Sequence, residues 1–260
     1  MAKAKYELQD GVALITLADP ATLNAISVEM TAELSIFFER AAGEARSIVL
    51  TGEGRGFSSG ANLASGAPPI DADGQPDLGG RLEATFNPFV TMLRDLPIPY
   101  VTAVNGAAAG IGCSFALLGD LIVAGESAYF LQAFRRIGLV PDGSATYHLP
   151  RMIGRVRAME MMLLGEKIPA KQAYEWGLVN RCVPDAELLP TAKALALELA
   201  NGPTKTLGMI RRLAWSSLDN TWEEQLQAER QAQKVAGRTE DFREGVQAFF
   251  QKRPAKFKGS

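Results

Sequence analysis

Two short stretches carry glycines where a backbone has to come close to something. Phe57 to Leu63 reads FSSGANL and Gly106 to Gly112 reads GAAAGIG. Each follows an apolar run, and a chain that leaves a strand through such a turn can present main-chain N–H groups to a ligand oxygen with few side chains in the way. Two such donors converging on one oxygen stabilise an enolate or a tetrahedral anion, and each lowers a barrier by roughly 3 kcal/mol. Tight turns alone also use glycine, and spacing does not separate the two readings. Other reactive side chains are few. His148 is the one histidine, between Tyr147 and Leu149. It reads as a packed residue, and any Ser-His-Asp triad would depend on it alone. Cys113 and Cys182 sit in apolar contexts without CxxC spacing, which argues against a disulfide framework or a zinc site, and no metal is expected.

The elements that must position these turns follow from periodicity. Tyr6 to Leu17 alternates around Asp10-Gly11 and reads as a hairpin. Ser27 caps a helix with Met30, Leu34, Phe37 and Phe38 on one face, fading near Gly43. Ser47 to Thr51 is a buried strand, Gly52 to Gly60 a turn-rich loop, and 64–80 a proline-rich mobile loop beside a pocket. Phe86 to Leu96 is helical up to the Pro97-Ile98-Pro99 breaker. Val101 to Val104 is the strand that enters the second glycine turn, and a helix begins at Cys113. Leu121 to Ala124 and Ala128 to Leu131 are further strands, and Gly177 to Val183 holds the last strand signal.

Helices dominate after residue 150: Ala158 to Leu164, Ala170 to Trp176, Ala186 to Ala200, Lys205 to Ser216 and Thr221 to Ala236. Met159, Met161 and Met162 read as helix core, and Asp120 as a structural hydrogen-bond acceptor. The chain thus divides into an α/β core, 1–200, that holds the site, and a helical region, 201–260. Strand and glycine loop recur near residues 48, 101 and 121, a faint internal repeat.

Composition narrows the partners. With 27 basic and 29 acidic residues and a formal net charge of −2, the chain has no electrostatic footprint for nucleic acid or an anionic membrane surface. MAKAKYELQD lacks the apolar core of a signal peptide, and no apolar run reaches a membrane span, so a cytoplasmic location is expected.

FSSGANL, NGAAAGIGCSFALLGD (Asn105 to Asp120), IGLVPD (Ile137 to Asp142) and EGVQAFFQKRPAKF (Glu244 to Phe257) together resemble the crotonase, or enoyl-CoA hydratase/isomerase, superfamily, in the right order and over nearly the full length. The motifs are closest to those of the 1,2-epoxyphenylacetyl-CoA isomerases. The resemblance implies an α/β spiral of ββα units, a C-terminal helical trimerisation region giving a homotrimer or a dimer of trimers, and a coenzyme A thioester as substrate with no permanently bound cofactor. It places the hole donors at the main-chain N–H of Ala61 and Ile111. It places the CoA wall at Ala21, Thr22, Leu23, Ser59, Ala61 and Leu63, and it has Phe249 and Lys252 reach a neighbouring subunit's ligand, Lys252 towards phosphate. The nearby Arg253, Lys256 and Lys258 read equally as a solvated tail.

The reaction rests on departures from the family pattern. Hydratases of the family carry glutamates at the positions of Ser114 and Phe134, so these two residues line an acyl pocket without supplying acid or base. Asp142 remains. A carboxylate after an apolar turn, flanked by small residues, can be partly desolvated and act as a base beside a thioester, or it can simply cap the following helix. Asn62 stands where the family has Asp, Ile111 where it has a smaller residue, and Ser144-Ala145 where it has a Gly pair. An isomerase using Asp142 as acid/base fits best. The alternatives are a hydratase working through Asp142 and water, and a non-catalytic acyl-CoA-binding protein. Dehalogenation is disfavoured because no histidine occurs in 64–96. Arg135 and Arg136 face either solvent or CoA.

Overall fold

Three successive strand pairs generate the architecture. In the computed structural model, which describes residues 2–63, 66 and 69–260, β1 (Ala4–Gln9) and β2 (Val12–Leu17) form an antiparallel hairpin across Asp10 and Gly11. Helix α1 (Val28–Glu44) follows, and the Ser27 hydroxyl accepts from the Met30 N–H at its start. Next, β3 (Ser47–Gly52) and β4 (Gly56–Ser58) diverge into different sheets. Helix α2 (Leu78–Arg81) passes through a wide turn at Leu82–Phe86 into α3 (Asn87–Asp95). The second pair, β5 (Tyr100–Val104) and β6 (Ala107–Ala109), leads into α4 (Ile111–Leu117). The third, β7 (Leu121–Gly125) and β8 (Tyr129–Leu131), leads through a 3-10 turn at Ala133–Ile137 into α5 (Ala145–Leu164). Then come β9 (Ile168–Pro169), α6 (Ala170–Glu175), β10 (Arg181–Val183), α7 (Leu188–Ala200), α8 (Thr204–Ser216), α9 (Trp222–Ala236) and α10 (Glu240–Gln251).

The larger sheet has the order β1-β2-β3-β5-β7-β10, and the smaller one β4-β6-β8-β9. Within them β3, β5 and β7 pair in parallel, as do β4, β6 and β8. The faint repeat is therefore a spiral that lays one strand in each sheet per turn. The core between the elements is aromatic below α4: Phe115 meets Phe89 at 4.9 Å between centroids, and Phe38 meets Phe89 and Tyr100 edge-on. Edge-to-face pairs of this kind fix the helix rather than merely covering it.

Sequence periodicity falls short in four places. Gly56–Ser58 and Ala107–Ala109 are strands, not turns; at three residues each they are too short to give an alternation to read. Helical structure begins at Leu78 rather than Phe86, masked by Gly79-Gly80, so only part of the loop expected over 64–80 exists; residues 64, 65, 67 and 68 lie outside the described residues. Helix α5 starts at Ala145, thirteen residues before the expected Ala158, because Pro150 and a break at Gly154 (φ 75°, ψ 156°) hide its period. Helix α10, capped by the Thr239 hydroxyl, falls in the helical region expected over 201–260, but the sequence reading delimits no helix there. Of Met159, Met161 and Met162 on α5, Met161 is buried and Met159 is exposed, so Met159 is not core.

Asp120 accepts from the Tyr100 N–H and from Arg211 Nε (2.9 and 2.8 Å). Arg211 on α8 also donates to the carbonyls of Leu93, Arg94 and Leu96 at the end of α3, which ties the helical region to the core. Beyond it Trp222, Val235, Phe249 and Phe250 remain exposed. Among the described residues no helix is long and apolar enough to cross a membrane.

Candidate active site

The two glycine turns meet. Gly60 (φ 103°) and Gly110 (φ 52°) both occupy the positive-φ half of backbone space that favours glycine. A Cβ on Gly60 would lie 3.0 Å from the Ala109 carbonyl oxygen and 3.8 Å from the Gly110 Cα, and a Cβ on Gly110 would lie 3.8 Å from the Gly60 Cα. The residue after each glycine then offers its amide. Ile26 N–H donates to the Gly60 carbonyl and Asn62 N–H to the Ile26 carbonyl, both at 2.8 Å. Strand alternation turns the intervening Ala61 N–H to the other side, where it has no acceptor among the described residues. Ile111 is the first residue of α4, and the first N–H groups of a helix have no intrahelical acceptor. Two unpaired main-chain donors on adjoining loops can hold one anionic oxygen.

Asp142 approaches the same helix from the third turn of the spiral. A Cβ on Gly143 would lie 2.7 Å from Ser114 Cβ and 3.2 Å from Ile111 Cγ1, so only glycine permits this contact. The Ser114 hydroxyl donates to the Asp142 carbonyl at 3.0 Å. The helix cap is Ser144 (φ 65°), not Asp142, so the capping alternative does not describe this carboxylate. Asp142 is half-buried, and its Oδ1 has no hydrogen-bond partner among the described residues. Burial pushes the carboxyl up to about 6. A carboxylate kept short of hydrogen bonds is a stronger base than one in water, and a pKa near neutrality suits proton transfer.

A profile of the family described as enoyl-CoA hydratase/isomerase matches residues 7–260. The chain belongs to the enoyl-CoA hydratase/isomerase family. It is 44% identical to a probable enoyl-CoA hydratase of Rhodobacter capsulatus over 98% of this chain and 97% of the relative. It is equally 44% identical to the 1,2-epoxyphenylacetyl-CoA isomerase of Escherichia coli K12, over 97% of each chain. Among solved structures, an enoyl-CoA hydratase described as putative, from Streptomyces coelicolor, superposes with a TM-score of 0.91 at 33% identity, covering 99% of this chain and 94% of that one. The spiral is thus the crotonase fold.

Within this enoyl-CoA hydratase/isomerase frame, the remaining residues fall into three groups. Ala21 lies in a 3-10 turn, Pro20–Thr22, and Leu23 (φ 55°) follows it. Ser59 N–H donates to the Leu23 carbonyl and its hydroxyl to the Thr22 carbonyl, both at 2.8 Å, so these residues form one wall with the Gly60 loop. Leu63 is exposed at the far end of that loop. Phe134 is buried with its ring edge 3.7 Å from the place of a Gly110 Cβ, beside the hole. Ser114 is buried and bonded to the Asp142 carbonyl, so its hydroxyl is engaged with the Asp142 loop rather than open to an acyl group.

Phe249 and Lys252 lie at the end of α10. Phe249 is exposed beside a groove of about 650 Å³ shared with Phe242, Val246, Phe250 and Phe257. Among the described residues no contact within the single chain brings them to the Ala61 and Ile111 amides. Arg135 and Arg136 donate to the carbonyls of Leu164 and Gly165, which close α5. His148 is buried, burial pushes its imidazole down to about 4, and its Nδ1 lies 3.1 Å from Ser144 Oγ.

Two positioning groups went unread in the sequence. Asn24 is buried, donates to the carbonyls of Glu53 and Gly56, and accepts from the Asp19 N–H, bracing the segment behind the hole. The Ser58 hydroxyl links the Asn24 carbonyl to the Gly60 N–H. An Asn at positive φ (55°) is a conformational signal, but one visible only in the backbone.

Proposed function

We propose that this protein is an acyl-CoA thioester isomerase in which Asp142 moves a proton between carbons while the Ala61 and Ile111 amides hold the thioester oxygen. Asp142 takes a proton from the carbon alpha or gamma to the carbonyl. The electron pair delocalises onto the oxygen as an enolate, stabilised by the two amides, and Asp142 returns the proton to the other carbon. Double-bond migration needs nothing else, and opening of a ring epoxide next to the thioester can use the same base and hole.

The observation that carries this reading is the isolation of Asp142: it brings a carboxylate with an unpartnered oxygen to α4, where Ser114 offers a hydroxyl already bonded to a main-chain carbonyl and Phe134 a hydrocarbon ring. Adding water across a double bond calls for one group to activate the water and another to deliver a proton. One carboxylate serves a proton shuttle better. The isomerase name of one relative at 44% identity supports the reading, as does that of a trans-2-decenoyl-[acyl-carrier-protein] isomerase of Streptococcus mutans at 30% over 98% of this chain. The equally similar probable hydratase keeps hydration as the second reading, with Asp142 acting through water. The exposed aromatic surface of the helical region, Trp222, Phe249 and Phe250, supports a homotrimer or dimer of trimers, in which Phe249 and Lys252 reach a neighbour's CoA.

Matched substrates decide between them. Incubated with trans-3-hexenoyl-CoA, trans-2-hexenoyl-CoA and the ring 1,2-epoxide of phenylacetyl-CoA, and followed by mass and ultraviolet absorbance, the protein isomerises the first or the third at least about a hundredfold faster than it hydrates the second. Hydration faster than either isomerisation overturns the proposal.

A further inference from the structure

Asp142 has a carboxyl oxygen that no side chain aims. Its Oδ1 is buried without a partner among the described residues, so the placement of the group has to come through its main chain. That main chain is held at one atom, the carbonyl oxygen, which accepts from Ser114 Oγ at 3.0 Å and from the Ala145 N–H at 3.1 Å. The second bond is internal to the turn and moves with it. The first reaches across 28 residues to α4. Ser114 lies one helical turn after Ile111, so the two share a face. The same two residues receive Gly143: its absent Cβ would stand 2.7 Å from Ser114 Cβ and 3.2 Å from Ile111 Cγ1. Helix α4 is itself fixed, since the N–H groups of Cys113 and Ser114 both donate to the Gly110 carbonyl and Phe115 is locked against Phe89.

We propose that Ser114 is a positioning residue that registers the Asp142 loop against the helix turn whose first amide, Ile111, is a hole donor. This rests on the isomerase reading of Asp142. The bulk of Ile111, which stands where the family has a smaller residue, serves as the floor on which Gly143 sits. Without the Ser114 hydroxyl the Asp142 loop meets α4 only by van der Waals contact, and a shift of about 1 Å in a proton-transfer geometry can cost on the order of a hundredfold in rate.

The test uses the full-length protein with trans-3-hexenoyl-CoA, comparing wild type, Ser114→Ala, Ser114→Cys and Asp142→Asn. Ser114→Ala lowers kcat about 10- to 100-fold with KM within about twofold, and its acid limb in kcat moves to lower pH as the loosened carboxylate gains water. Ser114→Cys keeps the volume with a weak donor and falls between the two; it carries the test if the alanine variant does not fold. A folded Ala or Cys variant with wild-type kcat and an unmoved acid limb overturns the role of Ser114. If Asp142→Asn keeps its turnover, the isomerase reading itself fails; if Asp142→Asn is inactive and the Ser114 variants are not slowed, only the registering role falls.

Discussion

The glycine loops and the Asp142 loop converge on the first turn of α4, yet they are assembled in opposite ways. The proposed hole consists of main-chain amides, and its precision comes from what is missing: no Cβ on Gly60 or Gly110, and hence no obstacle between two strands' ends. The proposed base is a single side chain whose reactivity comes from what surrounds it, a half-buried pocket with no donor for Oδ1 among the described residues. Side-chain replacement therefore leaves the hole intact unless it strikes a glycine, whereas one isosteric change removes the base. Electrostatic preorganisation and proton transfer can be broken separately here.

The largest separation is expected for Asp142→Asn. Removing a general acid/base costs about 10²- to 10⁴-fold in turnover, while the hole still binds the thioester, so kcat collapses and the Kd for a non-reactive acyl-CoA, measured by calorimetry, stays within about threefold. Gly110→Ala breaks the other half. Gly110 has φ 52° and faces the Phe134 ring, so the substitution turns the Ile111 amide aside, and loss of one hole donor costs about 10²- to 10³-fold in kcat. Ile111→Val keeps the donor, and kcat stays within about fivefold; a large loss there would assign the effect to the side chain.

Two smaller effects follow from the charge on Asp142. A base must start ionised, so kcat/KM rises with pH through about 6 and then levels, and the limb disappears in Asp142→Asn. Stability runs the other way. A carboxyl whose folded pKa is raised is favoured in its protonated form, so its contribution is fully present below the unfolded value near 4 and lost as pH rises through about 6. Asp142→Asn removes that loss. It is therefore more stable than wild type by about 1–2 kcal/mol at pH 8, with the gain gone at pH 4, readable as denaturant midpoints at the two pH values.

How much of this could be read beforehand depends on what each part is made of. A hole built from backbone leaves a mark in residue type, because few residues besides glycine tolerate positive φ, and so Gly60 and Gly110 stand out in the bare sequence. Asp142 carries no such mark; an Asp before Gly-Ser looks like a cap, and only its place in the IGLVPD string singles it out. The structure puts Ser144 at the cap instead. Long-range contacts were out of reach: the Ser114 hydroxyl is a family departure in the sequence, and its bond to Asp142 appears only when β8 and the following turn bring the third spiral turn beside α4. Strands β4 and β6 escape a sequence reading because three residues are too few to show a period, while β3, β5 and β7, longer and apolar, read clearly. Proline at 150 and the break at Gly154 conceal the front half of α5 for the same reason, by interrupting the helical repeat.

The division of labour between hole and base is tested most directly by single-turnover isomerisation of trans-3-hexenoyl-CoA with enzyme in excess, followed by the absorbance of the conjugated product. With Asp142 as the proton carrier, Asp142→Asn binds the thioester normally and converts it at least about a hundredfold more slowly than wild type. Conversion by Asp142→Asn at the wild-type rate would contradict that assignment.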